Sequence, residues 1–160
     1  SRDRSAEALP AGTLYSWETR AIGADHADEK ILSIDTRQMS PETPSGVYVG
    51  DTPFAEVGEL EPAPVLDFSW RSGRDTSDQV VVEVVTPQFG WICTFNDSGG
   101  FGSVPLITES GDNVVIDGTS ARVSIHRFRT KTAESPGELA EVKMTFDFAL
   151  ESQWTFSHSR

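Results

Sequence analysis

The chain has 160 residues, enough for one domain with a sizeable core. Its 25 acidic against 13 basic side chains give a net charge of -12, a field that repels phosphate backbones and disfavours nucleic acids and anionic membrane surfaces as partners. The single cysteine, Cys93, excludes an intramolecular disulfide and any multi-cysteine metal cluster, and no apolar run approaches the roughly 20 residues of a membrane-spanning helix.

Residues 1–12, SRDRSAEALPAG, are polar and read as an arm or linker cut from a longer chain, ahead of a single β domain over 13–160. Residues 14–22 alternate in part, with Tyr15, Trp17, Thr19 and Ala21 on one face of an extended strand. ADHADE at 24–29 breaks that run, and 31–36 forms a second. Two prolines and a glycine make 40–46 a loop, and Val47, Tyr48 and Val49 make a short strand. Residues 51–64 carry three prolines and no stable period, a long loop with room for one helical turn. Residues 65–70 then place Leu66, Phe68 and Trp70 on one face, and 72–78 is a turn. Five valines in 79–86 predict a central strand, because β-branched side chains suit the pleated surface.

The run WICTF at 91–95 stops at Asn96-Asp97-Ser98-Gly99-Gly100, and an extended run resumes over 104–108. Asn96, Asp97 and Ser98 supply turn hydrogen bonds, Gly99 and Gly100 the left-handed backbone freedom. Phe101 is expected to tuck back onto the sheet. Turns at 110–113 and 117–118 bracket another short run. Residues 122–130 alternate, with Val123 and Ile125 on one side and Arg122, His126 and Phe128 on the other. The clearest element is late: Ala140, Val142, Met144, Phe146, Phe148 and Leu150 occupy every second position, one buried and one wet face of a long strand. Trp154 and Phe156 extend it or fold back on the core. The total is nine to ten strands with little helix, an all-β antiparallel sandwich, jelly roll or Greek-key barrel.

Motifs for chemistry are sparse, and none calls for a cofactor. ADHADE lacks the spacing of a one-loop calcium site. His26, His126 and His158 are far apart, and no G-x-S-x-G elbow occurs. Asp67 and Glu83 interrupt apolar strands, as glycosidase acids do, or face water. The glycines at 99–102 lack the following helix and lysine of a phosphate loop. Asn96-Asp97-Ser98 matches the N-glycosylation pattern. Among the aromatics, Trp154 and Tyr48 are the candidates for exposure. In the basic run RVSIHRFRTK, Arg127 and Arg129 share a face and suit bidentate capture of carboxylate or phosphate, from a ligand, from the protein's own acids or from a neighbouring subunit. The loop tips at 72–78 and 96–103 are expected at one distal end, and they supply Asp75, Asn96, Asp97, Ser98 and Phe101 as ligand or receptor contacts.

The polar leading arm SRDRSAEALPAG, the many short strands, those two loop tips and the closing strand AEVKMTFDFAL resemble the protruding domains of capsid proteins of small non-enveloped RNA viruses. The resemblance implies a non-catalytic domain on the virion surface, self-association with neighbouring copies, and loops that meet a host receptor, protein or glycan, without nucleic-acid contact or membrane insertion. The alternatives are a carbohydrate-binding or adhesin module of a secreted protein, and a small β-sandwich hydrolase.

Overall fold

The computed structural model of the chain describes residues 10–17, 36–107, 118–133 and 142–157. Within them the chain is all β, as the alternation predicts. In chain order the strands are β1 (Leu14–Trp17), β2 (Thr36–Met39), β3 (Tyr48–Val49), β4 (Thr52–Pro53), β5 (Glu59–Leu60), β6 (Val65–Ser69), β7 (Gln79–Val85), β8 (Gly90–Asn96), β9 (Phe101–Pro105), β10 (Ser120–Ala133) and β11 (Val142–Phe156). Single 3-10 turns stand at Phe54–Glu56 and Asp97–Gly99. The strands in excess of the predicted number are β4 and β5, two residues each, inside the stretch read as loop. The predicted helical turn of that stretch is the 3-10 turn at Phe54–Glu56. The readings made on 18–35, 108–117 and 134–141 lie outside the described residues.

The strands form a five-stranded sheet in the order β5-β11-β10-β7-β8, a four-stranded sheet in the order β4-β3-β6-β9, and the ribbon β1-β2. Among the described residues every pairing is antiparallel except that of β5 with β11. β7 lies between β10 and β8, the interior position its valines predict.

The core lies between the two sheets. Val80, Val82 and Val84 of β7 and Val123 and Ile125 of β10 meet Leu66 and Phe68 of β6 and Val104 of β9. β11 keeps one parity along its length. Phe146 is buried while Lys143, Thr145 and Asp147 are exposed, and the same face continues to Trp154 and Phe156 at the far end. Trp154 is therefore not an exposed ring. It is 1% exposed, set between Phe54 at 5.4 Å and Phe68 at 6.2 Å. Burying one such large apolar side chain is worth about 1.5–3 kcal/mol, so the core needs no disulfide.

β10 and β11 have 14 and 15 residues, longer than their neighbours. The inner face of β10 changes character along its length, from Ala121, Val123 and Ile125 to Arg127 and Arg129. The change comes where β7 runs out, since Val80 pairs with Arg127 and Gln79 with Phe128. Beyond that point the inner face meets loops and the β1-β2 ribbon, whose Tyr15 ring stands 5.7 Å from that of Phe146.

Candidate interaction site at the loop end

The two loop tips pack against each other. The Trp70 amide donates to the Gly100 carbonyl at 3.0 Å, and its indole Nε1 donates to the Asp97 carbonyl at 3.1 Å. Ser72 Oγ donates to the Ser98 carbonyl at 3.4 Å, and the Asp97 amide to the Asp78 carbonyl at 3.1 Å. Gly100 sits at φ +64°, a left-handed position that a side chain would strain, whereas Gly99 has no positive φ and open space where a Cβ would lie. Only one of the two predicted glycine roles is present.

Beneath the tips lie two buried ion pairs. Arg127 Nη2 donates to Asp97 Oδ1 at 2.9 Å, with each side chain 1% exposed. The same guanidinium donates to the carbonyls of Arg71 at 2.6 Å, Glu42 at 3.2 Å and Thr43 at 3.4 Å. Its Nε is equally buried and has no partner among the described residues. The other oxygen of Asp97 accepts the Gly73 amide at 2.6 Å. A side chain at Gly73 would collide with that carboxylate, because an added Cβ would lie 2.6 Å from Asp97 Oδ2.

Arg129 grips Asp78 in the bidentate manner, Nε to Oδ1 at 2.6 Å and Nη2 to Oδ2 at 2.7 Å, while Nη1 donates to the Met39 carbonyl of the ribbon at 2.6 Å. Asp78 holds the Arg129 guanidinium above its ordinary pKa, against the opposing effect of burial. Asp75 lies nearer the surface. Its Oδ1 accepts from the Ser77 hydroxyl at 2.7 Å and amide at 2.9 Å, and its Oδ2 is 3.1 Å from Lys131 Nζ. The Ser77 bonds, and after them Lys131, hold this carboxyl well below the usual carboxylate range. A cleft of about 390 Å³ opens beside it, and Gly12, Met39, Ser40, Glu42, Arg74, Asp75 and Arg129 are among its lining residues.

The predicted contacts therefore divide. Asp97, Arg127 and Arg129 are buried, at 0%, 1% and 6% exposure, so they are internal supports and not surface groups. Asp75 is partly exposed; Asn96, Ser98 and Phe101 are exposed. Phe101 does not tuck: it is 56% exposed. Parity explains this. Phe101 pairs with Ser69 and faces outward, while the inward position falls to Gly102, and the Phe95 ring fills the space its missing side chain leaves. On the outer face of the small sheet, Pro53, Tyr48, Ser69 and Phe101 form one cross-strand row. Tyr48 is 42% exposed, as predicted. In the neighbouring row Ser103 Oγ donates to Asp67 Oδ1 at 2.6 Å.

Sequence reasoning missed a second constellation, on the outer face of the large sheet. His126 Nδ1 is 2.9 Å from Asp147 Oδ1, and His126 Nε2 is 3.0 Å from Ser124 Oγ. Ser124 and His126 share a face at strand spacing, and Asp147 comes from β11. The connectivity is that of an activated serine, but its surroundings are not. Ser124 is 4% exposed and faces Glu83 on one neighbouring strand and Glu151 on the other. β10 is paired on both sides, so its amides serve the ladders and not an oxyanion. Glu83 and Asp67 lie on opposite outer faces of the two layers, so they do not form a carboxylate pair.

Comparison with protein-family models, with curated proteins and with solved structures finds no match.

Proposed function

We propose that this domain is a non-catalytic, outward-projecting interaction module. Its loop end and the adjoining Tyr48–Phe101 row meet a cell-surface receptor, protein or glycan. One observation carries the reading: the Phe101 ring stands in water at the edge of a tip whose backbone is fixed from below by Asp97–Arg127 and Asp78–Arg129. An apolar ring held out by a rigid support loses little entropy on binding, the economy on which preorganised sites rest. The surroundings of Ser124 favour this reading over a hydrolase, because two acids beside the serine would oppose an oxyanion.

In a capsid protein such a module is the protruding domain and lies on the virion surface. In a secreted protein it is an adhesin-type module. The acidic surface suits both settings.

The test is binding of the labelled chain to a glycan array and to intact cells, repeated with Phe101→Ser and Tyr48→Ser. Saturable binding that both substitutions weaken by on the order of tenfold or more, at unchanged thermal midpoint, supports the assignment. Undiminished binding by both variants removes it, as does absence of saturable binding on every surface. Ester hydrolysis abolished by Ser124→Ala would establish the hydrolase instead.

A further inference from the structure

Among the described residues, β8 is the outermost strand at one side of the five-stranded sheet. Its seven residues, GWICTFN, contain no charge, no proline and no bulge in its ladder with β7. Those are the devices by which proteins block open edges. The absence of charge is pointed in a chain of net charge -12.

The ladder with β7 fixes which backbone groups of β8 face outward. The Thr86 amide donates to the Phe89 carbonyl at 2.8 Å, and at the other end the Asp97 amide donates to the Asp78 carbonyl at 3.1 Å. Both belong to the register that pairs Val84 with Trp91, Val82 with Cys93 and Val80 with Phe95. Hydrogen-bonded pairs alternate in an antiparallel ladder, so Trp91, Cys93 and Phe95 spend their backbone groups on β7. Gly90, Ile92, Thr94 and Asn96 aim theirs away from it, and among the described residues those groups meet no partner. Ile92, on the outer face, is 70% exposed.

The strand is self-complementary about its middle residue. When a second copy's β8 lies antiparallel with Cys93 opposite Cys93, Gly90 falls opposite Asn96 and Ile92 opposite Thr94, on both sides of the axis. All four outward-facing residues then form hydrogen-bonded pairs, and no donor of the edge is left over. We propose that two copies of this chain associate through β8 in this register, joining their five-stranded sheets into one continuous ten-stranded sheet. The partner is a second copy and not a charged peptide, because the strip offers no side chain to pair with a charge and its backbone pattern matches itself. This gives a structural form to the self-association that the resemblance implies, and it goes beyond the receptor reading and does not depend on the Tyr48–Phe101 row.

The native cysteine reports on the register. Cys93 falls on a non-hydrogen-bonded pair, where Cα atoms approach to about 4.5 Å, within the span of a disulfide. It is the chain's one cysteine, so any disulfide-linked dimer joins Cys93 to Cys93.

The experiment is sedimentation of the 160-residue chain over a concentration series, at low and moderate salt, followed by diamide oxidation in alkaline buffer and a non-reducing gel. A monomer–dimer equilibrium that tightens as salt screens the like net charges, together with a disulfide-linked dimer, is the expected result. Thr94→Pro removes an outward-facing amide, which an edge strand tolerates, and weakens the dimer by on the order of tenfold or more, with the thermal midpoint of the dilute, monomeric chain unchanged. Ile92→Glu also weakens the dimer by adding like charge at an exposed position, with a small fall in midpoint because it stands opposite Glu83 of β7, so the test survives if the proline variant misfolds. A chain that stays monomeric up to about 1 mM overturns the proposal. So does a dimer that both variants leave intact, or one that diamide does not link. Because neither substitution touches Tyr48 or Phe101, receptor binding by the monomeric variants separates failure here from failure of the receptor assignment.

Discussion

Arg127→Met tests the support beneath the loop end. Methionine keeps most of the side-chain volume and removes the charge. Asp97, 0% exposed, is left with the Gly73 amide as its side-chain donor, and the carbonyls of Arg71, Glu42 and Thr43 lose theirs. Removing one partner of a buried pair strands the other charge, at a cost of about 3–5 kcal/mol. For a domain of this size each kcal/mol lowers the thermal midpoint by about 2–4 °C, so a fall of about 10 °C is expected. Urea titration followed by tryptophan fluorescence should show a lower midpoint at unchanged slope. Adding Asp97→Asn to the variant should recover about 1–3 kcal/mol relative to the sum of the single changes, since the stranded carboxylate is then gone. A cost below about 1 kcal/mol for Arg127→Met, or strict additivity in the double variant, refutes the buried pair as a support.

Gly100→Val should destabilise by about 1–2 kcal/mol through its left-handed backbone, while Gly99→Val, with open space around it, should leave the thermal midpoint within about 1 °C of wild type. Phe146→Ala should cost about 3 kcal/mol in urea titration, since the ring is 6% exposed and packs against Tyr15. The native pKa of Asp75 is lowered, so its contribution to stability is complete above the unfolded value of about 3.9 and is lost as pH falls from there toward the lower native value. Urea midpoints of wild type and Asp75→Asn should therefore differ by a constant amount above about pH 5 and converge toward pH 2, with a gap that shrinks in salt because the group is partly exposed.

The fold was legible where alternation is unbroken. In β11 the even positions carry Met144, Phe146, Phe148 and Leu150 and the odd ones Lys143, Thr145 and Asp147, and a period of two admits one reading of which face is buried. The loop end was legible only as a suspicion. RVSIHRFRTK showed two arginines on the face that otherwise holds Val123 and Ile125, a mismatch that calls for buried partners. Which acids answer them is decided by tertiary closure, since Asp97 lies 30 residues from Arg127 and Asp78 lies 51 from Arg129. Extension of β11 through Trp154 and Phe156 was one of two readings, and Trp154 was misread as a candidate for exposure although its even position matches the buried face of that strand. The direction of Phe101 depended on its register against Ser69, which nothing local specifies. Ser124, His126 and Asp147 were invisible as a group for the same reason: the strand spacing of the first two is readable, but the third arrives by pairing with a different strand.

Amide hydrogen exchange at the loop end tests most directly whether its tips are a preformed platform. The amides of Gly73, Asp97 and Gly100 each donate within the tips, to Asp97 Oδ2, the Asp78 carbonyl and the Asp97 carbonyl. If the buried pairs hold the tips rigid, these three amides are protected to nearly the same degree as those of Val82 and Ile125 in the core, and Arg127→Met abolishes that protection while sparing the core. Exchange of the three at the rate of an unprotected loop in the wild-type chain would contradict a preformed platform.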